Sequence, residues 1–390
     1  MADASIALDT RSRRKPRPII LRPATVGDLD DFVRIENSSF RTDRISRRSF
    51  HHLITRGHAL CLVADVGGKI VAAAIVLLHK GTPLARLYSF AVDPEVRGQG
   101  IGRALLREAE RRTLSSDRAF IRLEVRADNA AAIDLYRSYG YRDIGRWDNY
   151  YQDGCPALRM EKALAGGKRP ELSRVPYYEQ TLEFTCGAAC LMMAMRALDR
   201  DLSIDRKLEL RLWREATLIY MTSGHGGCGP FGLALAAHRR GFEVEVYTNG
   251  ERALFVDTVR SKQKKEVIQL VQADFRAQLV KEKVSLNRRK VVAKDFVAML
   301  KEGHVPLVLV SSYRFYAQKF PHWVVLTGCD ERFIYLHDPY IDFETEKTAT
   351  DCTNIPVTHE EFDRMAQYGT ARLRAAVVIR GKRSDRWSAS

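Results

Sequence analysis

The chain has 390 residues, 45% of them hydrophobic, and a formal net charge of +15. This length exceeds one ordinary core and predicts two or three domains, each with enough apolar material to fold without disulfide support. No window reaches the roughly 18 consecutive apolar residues that a helical membrane span requires, which argues against an integral membrane protein.

Residues 1–18, MADASIALDTRSRRKPRP, lack a hydrophobic signal segment and are read as a disordered basic arm. Seven scattered cysteines, an odd number, point to reduced thiols and a cytoplasmic location. No close-set Cys/His couples occur at finger-like spacing, so no metal is implied.

From Ile19 to Leu164 the pattern alternates strands and helices. KIVAAAIVLL and LYSFAV read as strands, and IGRALLREAERR reads as an amphipathic helix with apolar residues at 101, 105 and 106. FIRLEV is a further strand, AAIDLYRSYG a helix stopped by Gly140, and YRDIGRW and ALRMEK are two closing strands. The expectation is an α/β domain over 19–164, followed by a Gly-, Pro- and charge-rich linker at 165–174.

A second domain is expected over 175–381, with a disordered tail at 382–390. It opens on a helix from Cys186 to Leu198, turns at SGHGGCGP and continues in a helix at FGLALAAHRRG. Between Arg260 and Lys294 eleven Lys/Arg face only Glu266, Asp274 and Glu282, an excess of eight positive charges. That stretch, 260–294, is either a solvated helix face or a contact for an acidic partner such as RNA or a ribosome-bound substrate. The helix DFVAMLKEG then leads into the β-rich runs VPLVLVS, WVVLTG and RFIYLHD, an α+β arrangement.

Two stretches carry chemistry. In Phe90-Ala-Val-Asp-Pro-Glu-Val-Arg-Gly-Gln-Gly-Ile-Gly-Arg103 a strand enters a glycine-rich turn that opens a helix, leaving backbone N–H groups to cradle a pyrophosphate. This R-x-x-G-x-G pattern resembles the acetyl-CoA loop of the GNAT superfamily. Leu123-Glu-Val-Arg-Ala-Asp-Asn129, the following Leu135-Tyr136 and the Tyr150-Tyr151 pair are similar to the RimI-type protein N-terminal acetyltransferases. The resemblance implies a GNAT fold, a mixed central sheet with flanking helices. It implies acetyl-CoA held by Arg97, Gly98, Gln99, Gly100, Ile101, Gly102 and Arg103, with Asn129 beside the pantetheine arm. It also implies Glu124 as general base through a water, Tyr136 as general acid, and a backbone N–H from Phe90, Ala91 or Val92 at the oxyanion. One departure stands out: these enzymes carry a Pro-Trp pair after the first helix, whereas this loop reads Asn37-Ser-Ser-Phe-Arg-Thr-Asp-Arg44. Transfer to an amine is therefore better supported than any particular acceptor.

The second stretch is Gln180-Thr-Leu-Glu-Phe-Thr-Cys186-Gly-Ala-Ala-Cys190. A thiol in the first turn of a helix gains from the positive end of the helix dipole, and a glutamine six residues upstream can reach a tetrahedral oxyanion. His322 begins the run HWVVLTG and Asp338 ends the run RFIYLHD; adjacent antiparallel strands would join them as base and orienter. The set resembles the C39 family of bacteriocin-leader peptidases, papain-like and α+β. It implies Cys186 as nucleophile, His322 as base, Asp338 as orienter and Gln180 as oxyanion donor. The remaining cysteines, and His225, His238, His304 and His337, are read as structural or exposed. The expected activity is therefore double: an N-acetyltransferase of a peptide or protein amine, ribosomal substrates included, joined to a thiol peptidase or amidohydrolase. The alternative is a small-molecule acetyltransferase with an inactive C39-like domain that binds a peptide or the ribosome.

Overall fold

The computed structural model of the chain describes residues 18–164, 172, 175–221, 224–250, 253–316, 320–342, 347–369 and 371–383. The expected basic arm, most of the linker and the last seven residues lie outside the described residues. The chain divides into two compact units, one built from the residues up to Leu78 with Ala85–Leu164, the other from His79–Leu84 with the described residues from Leu172 onward.

The first unit runs β1 (Ile19–Pro23), α1 (Leu29–Ser39), α2 (Arg47–Thr55), β2 (Ala59–Val66), β3 (Lys69–Leu78) and β4 (Leu84–Val92). It continues with α3 (Ile101–Ser115), β5 (Phe120–Arg126), α4 (Ala130–Ser138), β6 (Arg142–Trp147) and β7 (Ala157–Ala163). The sheet order is β1-β2-β3-β4-β5-β7-β6. β3 is apolar almost throughout because both of its faces are covered. Ala72, Ala74 and Val76 join one core with Leu105 and Leu106 of α3, while Ala73, Ile75 and Leu77 join another with Phe32 of α1 and Phe50 of α2. Leu105 and Leu106 are fully buried, and each contributes about 1.5–3 kcal/mol by leaving water.

The second unit begins with α5 (Cys186–Leu198), α6 (Arg206–Ala216), β8 (Tyr220–Met221), β9 (Gly224–His225), α7 (Pro230–His238) and β10 (Phe242–Thr248). Then come α8 (Lys262–Lys281), β11 (Ser285–Arg288), α9 (Ala293–Lys301), β12 (Val305–Ser311) and α10 (Tyr313–Tyr316). It closes with β13 (Pro321–Cys329), β14 (Phe333–His337), α11 (Ala349–Cys352), β15 (Ile355–Thr358), α12 (His359–Met365) and β16 (Ala375–Lys382). Its main sheet is ordered β11-β10-β16-β12-β13-β14-β15, with β10 and β11 the parallel pair. α5 has buried residues at every position from Cys186 to Met195, so it needs no polar face and serves as the central helix of this unit's larger core.

The α/β character of the first unit and the helix-then-strand order of the second agree with the sequence. The charged 260–294 stretch, for which a solvated helix face was one of two readings, holds α8 and β11. β10 and β16 also escaped the sequence reading. β16 extends through Lys382, and the guanidinium of Arg383 donates to the His238 carbonyl at 2.7 Å. Among the described residues no helix is long and apolar enough to cross a membrane.

Candidate functional site

In the first unit, β4 leads straight to the glycine-rich turn. Its pairing with β3 slips between Ile75 and Val76, which face Ser89 and Leu87, so Tyr88 is an extra residue forming a β-bulge. Beyond the bulge lie Phe90, Ala91 and Val92, and then Asp93, whose carboxylate accepts from the Glu95 N–H at 3.2 Å and from Arg34 at 2.8 Å. Gly98 and Gly100 take φ of +79° and +81°, a left-handed backbone that a side chain would strain. Gly102, in the first turn of α3, lies so close to β4 that a Cβ there would meet Val92 Cγ2 at 3.4 Å.

The result is a helix start seated on the end of β4. Among the described residues, the backbone N–H groups of Gly98, Gln99, Gly100, Ile101, Gly102 and Arg103 make no hydrogen bond, and open space surrounds Gly98 and Gly100. These groups and the dipole of a 15-residue helix fit a pyrophosphate. Arg97 behaves differently: its N–H faces the Pro94 carbonyl at 3.5 Å and its Nε donates to the Val92 carbonyl at 3.1 Å. Asn129 caps α4, its Oδ1 accepting from the Ala132 N–H at 3.2 Å.

Glu124 and Tyr136 sit on β5 and α4. Glu124 Oε2 receives Arg86 Nε at 2.9 Å, and both side chains are buried. Arg86 reaches on to the Tyr150 hydroxyl at 3.0 Å, whereas Glu124 Oε1 accepts from no described group. The Tyr136 ring meets Phe90 edge-on at 6.3 Å and Tyr141 at 5.4 Å. Burial pushes the Tyr136 phenol well above its ordinary pKa, which keeps it protonated. The loop without the Pro-Trp pair is closed by Glu36, whose Oε1 accepts from the Ile45 N–H at 2.9 Å. Burial raises the Glu36 pKa, partly offset by the hydrogen bonds from Ile45 and Ser89. The Gln152 N–H approaches the Asp43 carboxylate of that loop at 3.3 Å. Sequence reasoning missed Arg86 and Glu36; Tyr150 was visible only as half of a tyrosine pair with no assigned role.

In the second unit, Cys186 occupies the first position of α5, and Gly187 follows for a steric reason. A Cβ at 187 would lie 2.9 Å from Cys228 Cβ and 3.1 Å from Trp323 Cδ1. His322 and Asp338 flank the β13–β14 hairpin, in which Val325 faces His337. His322 Nε2 lies 2.7 Å from Asp338 Oδ1, and the Cys186 sulfur is near enough to favour a charged form of the same imidazole. The carboxylate is completed by the Tyr316 hydroxyl on Oδ2 and the Tyr340 N–H on Oδ1 at 3.0 Å. Burial works against a charged imidazole, but the Asp338 carboxylate and the Cys186 sulfur outweigh it and hold the His322 pKa at about 10. Burial likewise opposes the Asp338 charge, yet His322 keeps its pKa below the ordinary value. Tyr316 and Phe320 turn their rings edge-on to the imidazole at 6.2 and 6.3 Å, a wall that limits water.

Gln180 is buried, with its backbone N–H on the Pro339 carbonyl at 2.9 Å and its amide Nε2 on the Leu182 carbonyl at 2.8 Å. That leaves one of its two amide hydrogens without a partner among the described residues. The segment from Tyr178 to Thr185 is braced by Glu209 of α6, fully buried, which accepts from Tyr178 and Thr181 hydroxyls at 2.9 and 2.8 Å and from Thr185 at 2.5 Å. Sequence reasoning missed Glu209, Tyr316 and Tyr340. The structure thus brings Cys186 near the hydrogen-bonded pair of His322 and Asp338. Cys190 instead donates to the Trp323 carbonyl at 3.3 Å, and burial pushes the Cys190 and Cys228 thiols well above their ordinary range. His337 is fixed by Val175 and Asn354 at 2.9 Å on each ring nitrogen, which suits a structural residue.

Comparison with known proteins agrees with both halves. Residues 28–164 match the acetyltransferase (GNAT) domain family, and residues 175–380 match the Peptidase_C39 like family. The N-alpha-acetyltransferase RimI of Mycobacterium tuberculosis strain H37Rv is 33% identical over 150 residues, 37% of this chain and 92% of that protein. The ribosomal protein bS18-alanine N-acetyltransferase of Escherichia coli K12 is 44% identical over 90 residues, 22% of this chain and 55% of that protein. The crystal structure of the ribosomal-protein-S18-alanine N-acetyltransferase from Escherichia coli covers 40% of this chain and 99% of its own, at 30% identity and a TM-score of 0.36. The chain therefore belongs to the GNAT N-acetyltransferases, which use acetyl-CoA, through its first unit and to the Peptidase_C39 like family through its second.

Proposed function

We propose that the chain is a bifunctional enzyme of peptide or protein amines, acetylating an N-terminal α-amine with one unit and hydrolysing an amide bond with the other. The acetylation half is supported by relatives named as an N-alpha-acetyltransferase and as an alanine N-acetyltransferase of ribosomal protein bS18. The observation that carries the hydrolytic half is the buried His322–Asp338 pair with Cys186 near its imidazole at the start of a buried helix. We assign the protein to the cytoplasm, where acetyl-CoA is available and thiols stay reduced; all seven cysteines are unpaired.

Bound acetyl-CoA supplies an activated acetyl thioester, held by the N–H groups from Gly98 to Arg103. Glu124, through its unengaged Oε1 and a water, removes the proton of the acceptor ammonium. A backbone N–H of the Phe90–Val92 segment stabilises the tetrahedral oxyanion, and Tyr136 gives its hydroxyl proton to the leaving thiolate. In the second unit the Cys186 thiolate adds to the amide carbonyl while Gln180 meets the oxyanion. His322 protonates the departing nitrogen as the C–N bond breaks. His322 then takes a proton from water, whose oxygen displaces the Cys186 sulfur and releases the acid. The released amine is a substrate for the first unit, and the fusion in one chain motivates that order of events.

A small-molecule acceptor is the second reading, favoured by the absent Pro-Trp pair in the 37–44 loop. Comparative N-terminal peptide mass spectrometry of cells bearing wild-type, Glu124→Gln and Cys186→Ala forms separates the two. Loss of a defined set of acetylated N-termini in both variants supports cleavage followed by capping. Acetylation that is unchanged by Cys186→Ala removes the coupling, and N-termini unchanged by Glu124→Gln remove the peptide acceptor.

A further inference from the structure

The loop that lacks the Pro-Trp pair is strongly basic. Between Arg41 and Arg48 stand four arginines against one carboxylate, Asp43. Contacts fix this loop from two sides. On one side Glu36, at the end of α1, is only 4% exposed. Its Oε1 accepts from the Ile45 N–H at 2.9 Å and its Oε2 from the Ser89 hydroxyl at 3.5 Å. Ser89 adjoins Phe90 on β4, where the segment assigned to the oxyanion begins. On the other side the Asp43 N–H donates to Gln152 Oε1 at 3.5 Å, and the Gln152 N–H approaches both Asp43 carboxylate oxygens at 3.3 Å. Gln152 stands two residues after Tyr150, whose hydroxyl holds Arg86 beside Glu124.

Tyr151 lies within reach of both ends. Burial raises the pKa of its phenol most, and the charges of Tyr150, Glu124 and Asp43 raise it further, with Arg126 opposing. Glu124 and the basic loop therefore flank one ring, which sets the loop at the border of the space where an acceptor amine meets Glu124.

Two of the four arginines have charge to offer. Arg47 pairs with Asp30 of α1. Arg41 is exposed and forms no ion pair among the described residues. Arg44 is exposed as well; its Nε donates to the Phe40 carbonyl at 2.7 Å, which leaves Nη1 and Nη2 without a partner among the described residues. Glu36 feels the Arg44 charge, but it is buried and already engaged by Ile45 and Ser89. An acceptor peptide brings one positive charge, its ammonium, to Glu124. A second basic group beside this loop is repelled, and an acidic one is drawn in.

We infer that the acetyltransferase unit selects peptide acceptors with an acidic residue at the second or third position, whose carboxylate meets Arg41 and Arg44. The inference rests on the proposed peptide acceptor and names its class.

The test is acetylation by the purified full chain of heptapeptides that share an N-terminal alanine and differ only at positions two and three, which hold aspartate, alanine or lysine. Product is followed by mass spectrometry and read as kcat/KM. The expected order is acidic, neutral, basic, with the acidic peptides ahead of the basic ones by roughly tenfold or more at low salt and the gap narrowing in about 0.5 M sodium chloride. The double variant Arg41→Gln with Arg44→Gln should level the order, and Arg41→Glu with Arg44→Glu should reverse it. Because the order among peptides is the readout, a general loss of activity does not mimic either result. Equal rates for the three classes, a wild-type preference for lysine, or an order that both double variants keep overturns the inference alone. Acetylation of none of the peptides overturns the peptide-acceptor reading and the inference with it.

Discussion

His322 Nε2 and Asp338 Oδ1 are 2.7 Å apart, and the Tyr316 hydroxyl and the Tyr340 N–H hold that carboxylate facing the imidazole. A neutral amide keeps the shape of this arrangement but cannot stabilise an imidazolium. Asp338→Asn should therefore lower the amide-hydrolysis rate by roughly 10²–10⁴-fold with an unchanged near-ultraviolet circular dichroism spectrum. A fall of less than about tenfold would remove Asp338 from the role of orienter.

The same pair makes stability depend on pH. His322 has its pKa raised to about 10 in the folded chain, against an ordinary value of 6.5. Between those values the folded state binds a proton that the unfolded state has released, so this contribution is complete below about pH 6.5 and declines as pH rises toward 10. The Tm of the second unit should fall across that window, and His322→Gln should flatten the decline. Parallel slopes for wild type and variant would contradict the assignment.

Arg86 and Glu124 form a buried ion pair, so removing one partner leaves a charge without compensation. Arg86→Met should destabilise the first unit by about 3–5 kcal/mol, and Arg86→Met with Glu124→Leu should recover most of that loss. Urea denaturation of the three variants reads this directly. A double variant no more stable than Arg86→Met would show that the pair does not carry the effect.

Much of this was legible in the sequence, and the division has a physical basis. Gln180 and Cys186 fall within one short segment, and His322 and Asp338 flank one hairpin, so local periodicity sufficed to relate each pair. Arg86 and Glu124 meet across different strands, β4 and β5, whose register no local pattern encodes. Tyr316 and Glu209 act through contacts set by packing of distant elements. α8 was legible only as one of two readings, a solvated helix face, because its buried residues, Ile268, Gln272 and Leu279, are few and its basic residues dominate the pattern. β16 pairs with β10 and β12, far away in the chain, and no turn signal links it to either.

Gly187 offers a purely steric test of the thiol site. A methyl group there must displace Cys228, Trp323 or the start of α5, so Gly187→Ala should cost about 1–3 kcal/mol and slow alkylation of Cys186 by iodoacetamide. Unchanged stability and labelling would mean that the helix start has more freedom than these contacts imply.

The central claim is that the glycine-rich turn and Glu124 together acetylate a peptide α-amine. The most direct measurement incubates the purified chain with acetyl-CoA and a set of short peptides with free N-termini, and follows acetylated product by mass spectrometry over time. The account predicts α-amine acetylation by the wild type and a rate lower by roughly 10²–10⁴-fold for Glu124→Gln. Acetylation confined to small amines, or a Glu124→Gln rate equal to that of the wild type, would contradict it.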